Sequence, residues 1–261
     1  MAADLKTALR QRLRAQRAAL PAAVRQQRDD ARTAVALAAF QAWLTDHPAT
    51  DSAQPVTIAA YDAVQPEPDT AAIIDQLDRW HCRVLLPTVG PARLGTSSLQ
   101  RRPTSNRQPD WTVRLGRSGD PGQSPGPQSQ PGSASPTVAS LGSPARQSRY
   151  GTLQGDSLTA PTLGPQALAE AAVILLPGWG GTRRGDRLGT GGGWYDRALT
   201  WAPTSTPRWL LLNADEVVER LPAEPWDQLV DAIITESGWI DCHRADGSPW
   251  DFGSRTGFST R

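Results

Sequence analysis

Residues 172–197 read AVILLPGWGGTRRGDRLGTGGGWYDR, and the fold turns on how this stretch is parsed. Its opening is a continuous apolar run without polar alternation, which predicts a strand buried on both faces of a parallel sheet. Its middle is glycine-rich: eight of the chain's 23 glycines fall in residues 178–193. A helix is predicted to begin near Gly193. Strand, loop and helix make one β/α unit, and open α/β sheets bind ligands at the carboxyl ends of their strands. Glycines let successive backbone N–H groups face one anion, and the helix N-terminus adds partial positive charge. Arg183, Arg184 and Arg187 supply full charges. The stretch therefore reads as a phosphate cradle, with a flexible glycine-rich turn as the plainer alternative. It is not a Walker loop, because no lysine lies in it, and GTGGGW fails the GxGxxG fingerprint at Trp194. Asp196 either complements the helix dipole or holds Mg²⁺, which takes one or two carboxylates plus phosphate oxygens.

Outward from this unit the alternation continues. Upstream, PVTIAAY (55–61) predicts a strand, DTAAIIDQLDRW (69–80) a helix capped by Asp69 or Thr70, and CRVLLP (82–87) a strand. A right-handed parallel crossover is expected there. Downstream, LGPQALAEA (163–171) predicts a short helix, WLLLN (209–213) a strand, DEVVERL (215–221) a short helix and LVDAIITE (229–236) a strand. Two helices open the chain. The first follows Leu5, Leu9 and Leu13, and the second runs to about Leu44 with Val35 and Phe40 inward. The predicted class is α/β: a three-layer, mostly parallel sheet flanked by helices, in a single domain over residues 1–240. Residues 118–149 contain eight Ser, six Pro, five Gly and four Gln. That composition predicts a disordered insertion at about 112–155, because it buries too little apolar surface to offset its ordering entropy. Residues 241–261 read as a flexible tail.

The 261 residues carry 27 basic and 26 acidic side chains, a net charge of +1. Such a balance argues against a general binder of nucleic acid or membrane surface. The first 32 residues carry a local net of +5, either a solvated face or cations offered to an anionic ligand. Of the 27 basic residues only Lys6 is lysine. Two cysteines exclude a disulfide scaffold, and His81-Cys82 with Cys242-His243 lacks zinc-site spacing. Ten tryptophans without a basic groove read as core and rim packing rather than a nucleic-acid platform. With neither a secretory signal nor a membrane-length apolar run, a cytoplasmic protein is expected.

Leu176-Pro177-Gly178, followed by Gly185-Asp186-Arg187-Leu188-Gly189-Thr190-Gly191-Gly192-Gly193-Trp194-Tyr195-Asp196-Arg197, resembles the glycine loop of the 5-formyltetrahydrofolate cyclo-ligase (methenyltetrahydrofolate synthetase) family. That family's pattern is a strand ending in Pro-Gly, then G-x-R-L-G-x-G-x-G-Y-Y-D-R. Other stretches agree in order: Lys6-x-x-x-Arg10 with Arg17, Tyr61…Glu67-Pro68-Asp69-Thr70, Val84-Leu85-Leu86-Pro87, and Leu221 to Asp227 with Val230-Asp231. The resemblance covers roughly residues 1–90 and 160–240. It implies ATP- and Mg²⁺-dependent cyclisation of 5-formyltetrahydrofolate to 5,10-methenyltetrahydrofolate, with release of ADP and phosphate. By the same resemblance, Lys6, Arg10 and Arg187 to Tyr195 bind ATP. Glu67 and Thr190 to Trp194 meet the reduced folate, and Asp196 and Asp227 hold Mg²⁺. No catalytic acid or base is implied, and a monomer without nucleic-acid or membrane partners is expected. Departures are Trp194 for the usual Tyr, Thr190 and Gly192 where many members are basic, and Gly180-Gly181-Thr182 where Phe-Asp is common. Gln154-Gly155 stands nearest to a usual Glu-Pro, and Trp226 stands where His is frequent. They motivate an alternative: a paralogue that binds nucleotide or folate without turnover.

Overall fold

A computed structural model describes residues 2–48, 55–88, 109–114 and 162–242. Two helices come first, α1 (Ala2–Ala18) and α2 (Ala22–Asp46). Next are β1 (Thr57–Ala59), α3 (Ala71–Arg79), β2 (Arg83–Pro87) and β3 (Trp111–Val113). After a 3₁₀ segment at Pro165–Glu170 come β4 (Val173–Pro177), β5 (Gly180–Gly181), β6 (Arg187–Leu188) and α4 (Trp194–Ala198). Finally β7 (Arg208–Leu211), β8 (Ala232–Thr235) and β9 (Gly238–Asp241) complete the described chain.

Seven strands form one sheet in the order β3-β2-β1-β4-β7-β8-β9. The five inner strands run parallel, and both edges, β3 and β9, are antiparallel. The chain moves outward in one direction from β1 to β2 and in the other from β4 to β7 and β8. The order therefore reverses between β1 and β4, and a crevice opens at such a switch point. Apolar residues alternate in side along each inner strand. Val84, Val173, Leu175, Trp209 and Ile234 pack under α2 and α3. Leu85, Ile174, Leu176, Leu210 and Ile233 pack under the 165–170 segment and α4. A third apolar cluster joins Leu13 of α1 to Trp179 and Leu188. This is the expected three-layer α/β sandwich.

The 178–193 stretch is not one loop. Gly180–Gly181 and Arg187–Leu188 pair antiparallel as a hairpin. Its turn is closed by Thr182, whose Oγ1 donates to Asp186 Oδ2 at 2.6 Å, and by Gly185 at φ +89°. Any Cβ at Gly185 would stand 2.3 Å from the Val230 carbonyl oxygen. A Cβ at Gly181 would meet Leu210, Leu212 and Ile233 within 3.1 Å. These two glycines serve close packing of the hairpin on the sheet, not anion binding.

Several elements are shorter than expected. The 163–171 and 215–221 helices are 3₁₀ turns at Pro165–Glu170 and Ala214–Glu216. Thr112 and Val113, at the expected start of the insertion, pair instead with Leu86 and Leu85. Residues 115–155 of that insertion lie outside the described residues. So does the tail beyond Cys242, although Asp241 closes β9 and Cys242 is buried. Among the described residues no helix is long and apolar enough to cross a membrane.

Candidate functional site

An open cavity of about 840 Å³ lies beside the carboxyl end of β4. Arg187 ties it there, with Nη1 donating to the Pro177 carbonyl oxygen at 3.3 Å. Helix α1 contributes Lys6 and Arg10, one turn apart on a single face, so both reach one volume. The other walls are Pro109, residues 189–191 and 193–197, Thr200 and Trp201, and the 224–228 turn.

Four cations (Lys6, Arg10, Arg187 and Arg197) and three carboxylates (Asp196, Glu224 and Asp227) line this cavity. Lys6 Nζ donates to Glu224 Oε2 at 2.8 Å and to Asp227 Oδ2 at 2.6 Å. Burial works to lower the Lys6 pKa, but its hydrogen bonds and ion pairs with Asp227 and Glu224 outweigh it and hold the ammonium above its ordinary range. Arg10 Nε donates to the Gly189 carbonyl oxygen at 2.8 Å, which fixes the loop's first residue. Burial lowers the Arg10 pKa, Asp227, Glu224 and Asp196 oppose that, and the like charge of Arg187 adds to it. The guanidinium stays charged at any working pH. Arg187 Nη2 donates to Asp196 Oδ1 at 2.9 Å. Asp227 Oδ2 also accepts the Glu224 backbone N–H at 2.8 Å. Each aspartate keeps its other oxygen without a hydrogen bond among the described residues.

A buried brace holds α1 to the chain after β4. Arg17, 2% exposed, donates through Nε to Glu216 Oε1 at 2.6 Å and through Nη2 to the Gly178 carbonyl oxygen at 2.9 Å. Its guanidinium also lies 4.6 Å from the centroid of the Trp179 ring. Glu216 Oε2 in turn accepts the Asn213 backbone N–H at 2.8 Å. One arginine on α1 thereby clamps the chain after β4 and the turn after β7. Sequence reading named Arg17 only as part of a motif. The local signal at Glu216 is Asn213-x-x-Glu216, a capping box on the Ala214–Glu216 turn, but its pairing with Arg17, 199 positions away, has no local mark.

Most predicted site residues converge. Lys6, Arg10, Arg187, Gly189, Thr190, Gly191, Gly193, Trp194, Tyr195, Asp196 and Asp227 all line the cavity. Leu188 does not, being buried against Leu13 and Trp179, and Gly192 is exposed outside the lining. Glu67 does not line it either. It follows β1, accepts the Val64 backbone N–H at 3.0 Å, and is held above its ordinary range by burial. Tyr61 and Tyr195 feel its charge, and both phenols are pushed up chiefly by burial. Arg183 and Arg184, read as cradle cations, are exposed on the hairpin turn and do not line the cavity. The turn carries them to Val230 and Cys242, away from the carboxyl end of β4. Sequence reading missed Glu224 as the second partner of Lys6, and Trp201 and Trp226 as cavity walls. The adjacency of Trp226 to Asp227 was the available signal.

The sequence profile of the 5-formyltetrahydrofolate cyclo-ligase family matches residues 2–236. A 5-formyltetrahydrofolate cyclo-ligase of Mycolicibacterium smegmatis is 37% identical over 75 residues, 29% of this chain and 39% of that protein. The enzyme of that name from Escherichia coli K12 is 37% identical over 71 residues, 27% of this chain and 39% of that protein. The chain thus matches about two-fifths of the length of these curated relatives. Among solved structures, a 5,10-methenyltetrahydrofolate synthetase from Mycoplasma pneumoniae aligns with a TM-score of 0.53 at 18% identity, over 88% of this chain and 98% of that one. Its counterpart from Aquifex aeolicus aligns with a TM-score of 0.52 at 18% identity, over 91% of this chain and 93% of that one. At such identity the likeness is one of fold.

Proposed function

The chain belongs to the 5-formyltetrahydrofolate cyclo-ligase family, and from that premise we propose that it closes the imidazoline ring of 5-formyltetrahydrofolate at the expense of ATP. The observation that carries this reading is the convergence of Lys6, Arg10 and Arg187 with Gly189, Thr190, Gly191 and Gly193 on one cavity. A triphosphate needs several cations and backbone N–H groups in one place, and this cavity gathers cations beside a glycine-rich backbone.

The chemistry asks for alignment more than for covalent participation. The formyl oxygen on N5 attacks the γ-phosphorus, and the bond to the β-phosphate oxygen breaks to give ADP. That turns a poor leaving oxygen into phosphate. N10 then attacks the formyl carbon and loses its proton, and phosphate departs to leave the methenyl bridge. In this reading Lys6, Arg10 and Arg187 hold the polyphosphate and neutralise charge that grows on its oxygens. Polyphosphate oxygens compete with Glu224, Asp227 and Asp196 for those cations, so the resting ion pairs keep the cations charged and aimed.

Asp196 and Asp227 suit a magnesium ion that arrives with phosphate oxygens. Both line the cavity, and each keeps one carboxylate oxygen free of hydrogen bonds among the described residues. Among the described residues no group of three or more His, Cys, Asp or Glu side chains could hold a metal ion unaided. That fits Mg²⁺, which keeps waters and takes one or two carboxylates. When bound it would neutralise charge on the phosphoryl group. For the folate, Glu67 is the proposed acceptor for ring N–H donors. The Tyr195 hydroxyl is buried without a partner among the described residues, and it lies within electrostatic reach of Glu67. A buried hydroxyl left unpaired is costly, and a polar substrate would satisfy it.

The test is turnover. Purified protein with ATP, Mg²⁺ and 5-formyltetrahydrofolate is expected to form the methenyl product, read by its near-ultraviolet absorbance. Absence of folate-dependent product at saturating ATP overturns the reading. Binding of both ligands without product would instead support a non-catalytic paralogue, the reading that Trp226 in place of the frequent His favours.

A further inference from the structure

Nine of the ten tryptophans lie in described residues, and seven of them are accounted for by packing. Trp43 stacks on His47 at 4.3 Å, Trp111 meets Trp194 edge-on at 5.1 Å, and Trp209 meets Trp239 at 5.1 Å. Trp179 lies under Arg17, and Trp80 packs on the core beneath α2 and α3. Two remain. Trp226 is 62% exposed and Trp201 is 44% exposed, and neither makes a ring contact among the described residues. Both line the cavity that holds Lys6, Arg10 and Arg187.

An indole left in water forfeits the large gain from burying its apolar surface. One such residue is ordinary. Two, both on one cavity while the other seven are packed, point to a flat ligand. We infer that Trp226 and Trp201 receive the heteroaromatic base of the nucleoside triphosphate. The inference rests on the nucleotide reading of the cavity and adds residues to it. Lys6 and Arg187 are only 6% and 8% exposed, whereas the two indoles stand at the rim. A triphosphate drawn inward to those cations leaves its base outward, level with the indoles. The next residue after Trp226 is Asp227, which pairs with Lys6, so base and phosphate contacts sit on one turn. Stacking reads a π-face rather than a hydrogen-bonding edge, so it supplies affinity for any base.

The test compares ATP with inorganic tripolyphosphate, which offers the same charged groups and no base. In calorimetric titrations with Mg²⁺, Trp226→Ala and Trp201→Ala are each expected to weaken ATP binding by about 5- to 100-fold, the usual range for loss of one stacked base. Tripolyphosphate affinity should be unchanged, and Trp226→Phe should keep most of the ATP affinity. The KM for 5-formyltetrahydrofolate should move less than about twofold. Equal weakening of ATP and tripolyphosphate, no weakening of either, or a shift confined to the folate overturns the inference. So does wild-type protein that binds neither probe. Selective loss of ATP binding in a protein without turnover would overturn the proposed reaction and leave the base site standing.

Discussion

Lys6 is the one lysine among 27 basic residues, and its ammonium stands between two carboxylates on the far side of the chain. A compact point charge fits between Glu224 and Asp227 where a planar fork would engage one of them bidentately. Counting residues was enough to single Lys6 out. Its partners were not legible, because they lie 218 and 221 positions away and nothing local announces the pairing. The expected result for Lys6→Ala is a rise in the KM for ATP of roughly 10- to 100-fold, the scale of lost charge-assisted hydrogen bonds. Lys6→Arg should recover only part of it. Steady-state kinetics at fixed folate measure both, and an unchanged KM for ATP in Lys6→Ala would remove Lys6 from the phosphate site.

At the scale of elements, the glycine stretch was read correctly in its ends and wrongly in its middle. The strand ending at Pro177 and the helix beginning at Trp194 follow from apolar continuity and from the sequence after Gly193. The β5–β6 hairpin between them was hidden, because two-residue strands carry no periodicity. Two of its glycines are required by what they touch, Val230 and the Leu210–Ile233 surface, and a sequence does not list those neighbours. Misreading that hairpin also misplaced Arg183 and Arg184. Arg17, clamped onto Glu216 and Gly178, joins the Leu13–Trp179–Leu188 contact in holding helix α1 where it brings Lys6 and Arg10 to the site. Removing one partner of a buried ion pair strands the other, at about 3–5 kcal/mol. Arg17→Ala is expected to lose that much in denaturant unfolding. The double variant Arg17→Met/Glu216→Leu should lose less than Arg17→Ala alone. A double variant that loses the sum of the two single changes would show that the pair is not coupled.

For the whole molecule, the parallel inner sheet was legible because its strands are short apolar runs, and those of β1, β4 and β7 precede helical patterns. The edge strands were not. Trp111–Val113 sits at the margin of the Ser- and Pro-rich stretch, and Gly238–Asp241 lacks the apolar continuity of the inner strands. Both are partners chosen by the sheet rather than by their own composition. One titrating group links this sheet to solution conditions. Asp231 precedes β8 and its carboxyl is pushed up to about 7 by burial, against the opposing effects of the Arg208 backbone N–H and guanidinium. The folded state therefore retains a proton that the unfolded chain releases near pH 4. The stability this adds is full below that ordinary carboxylate range and is lost as pH rises through about 7. Asp231→Asn keeps an oxygen to accept the Arg208 N–H and has nothing to ionise. Its Tm is expected to fall less than that of the wild type between about pH 5 and pH 8. Parallel curves for the two proteins would contradict the assignment.

On the proposed function, the cavity couples ATP cleavage to ring closure. The direct measurement follows methenyl product and inorganic phosphate together, in the presence and absence of 5-formyltetrahydrofolate. The expected result is one phosphate released for each methenyl group formed, with phosphate release dependent on the folate. Phosphate released without folate at the same rate, or methenyl formation that does not require ATP, would contradict it.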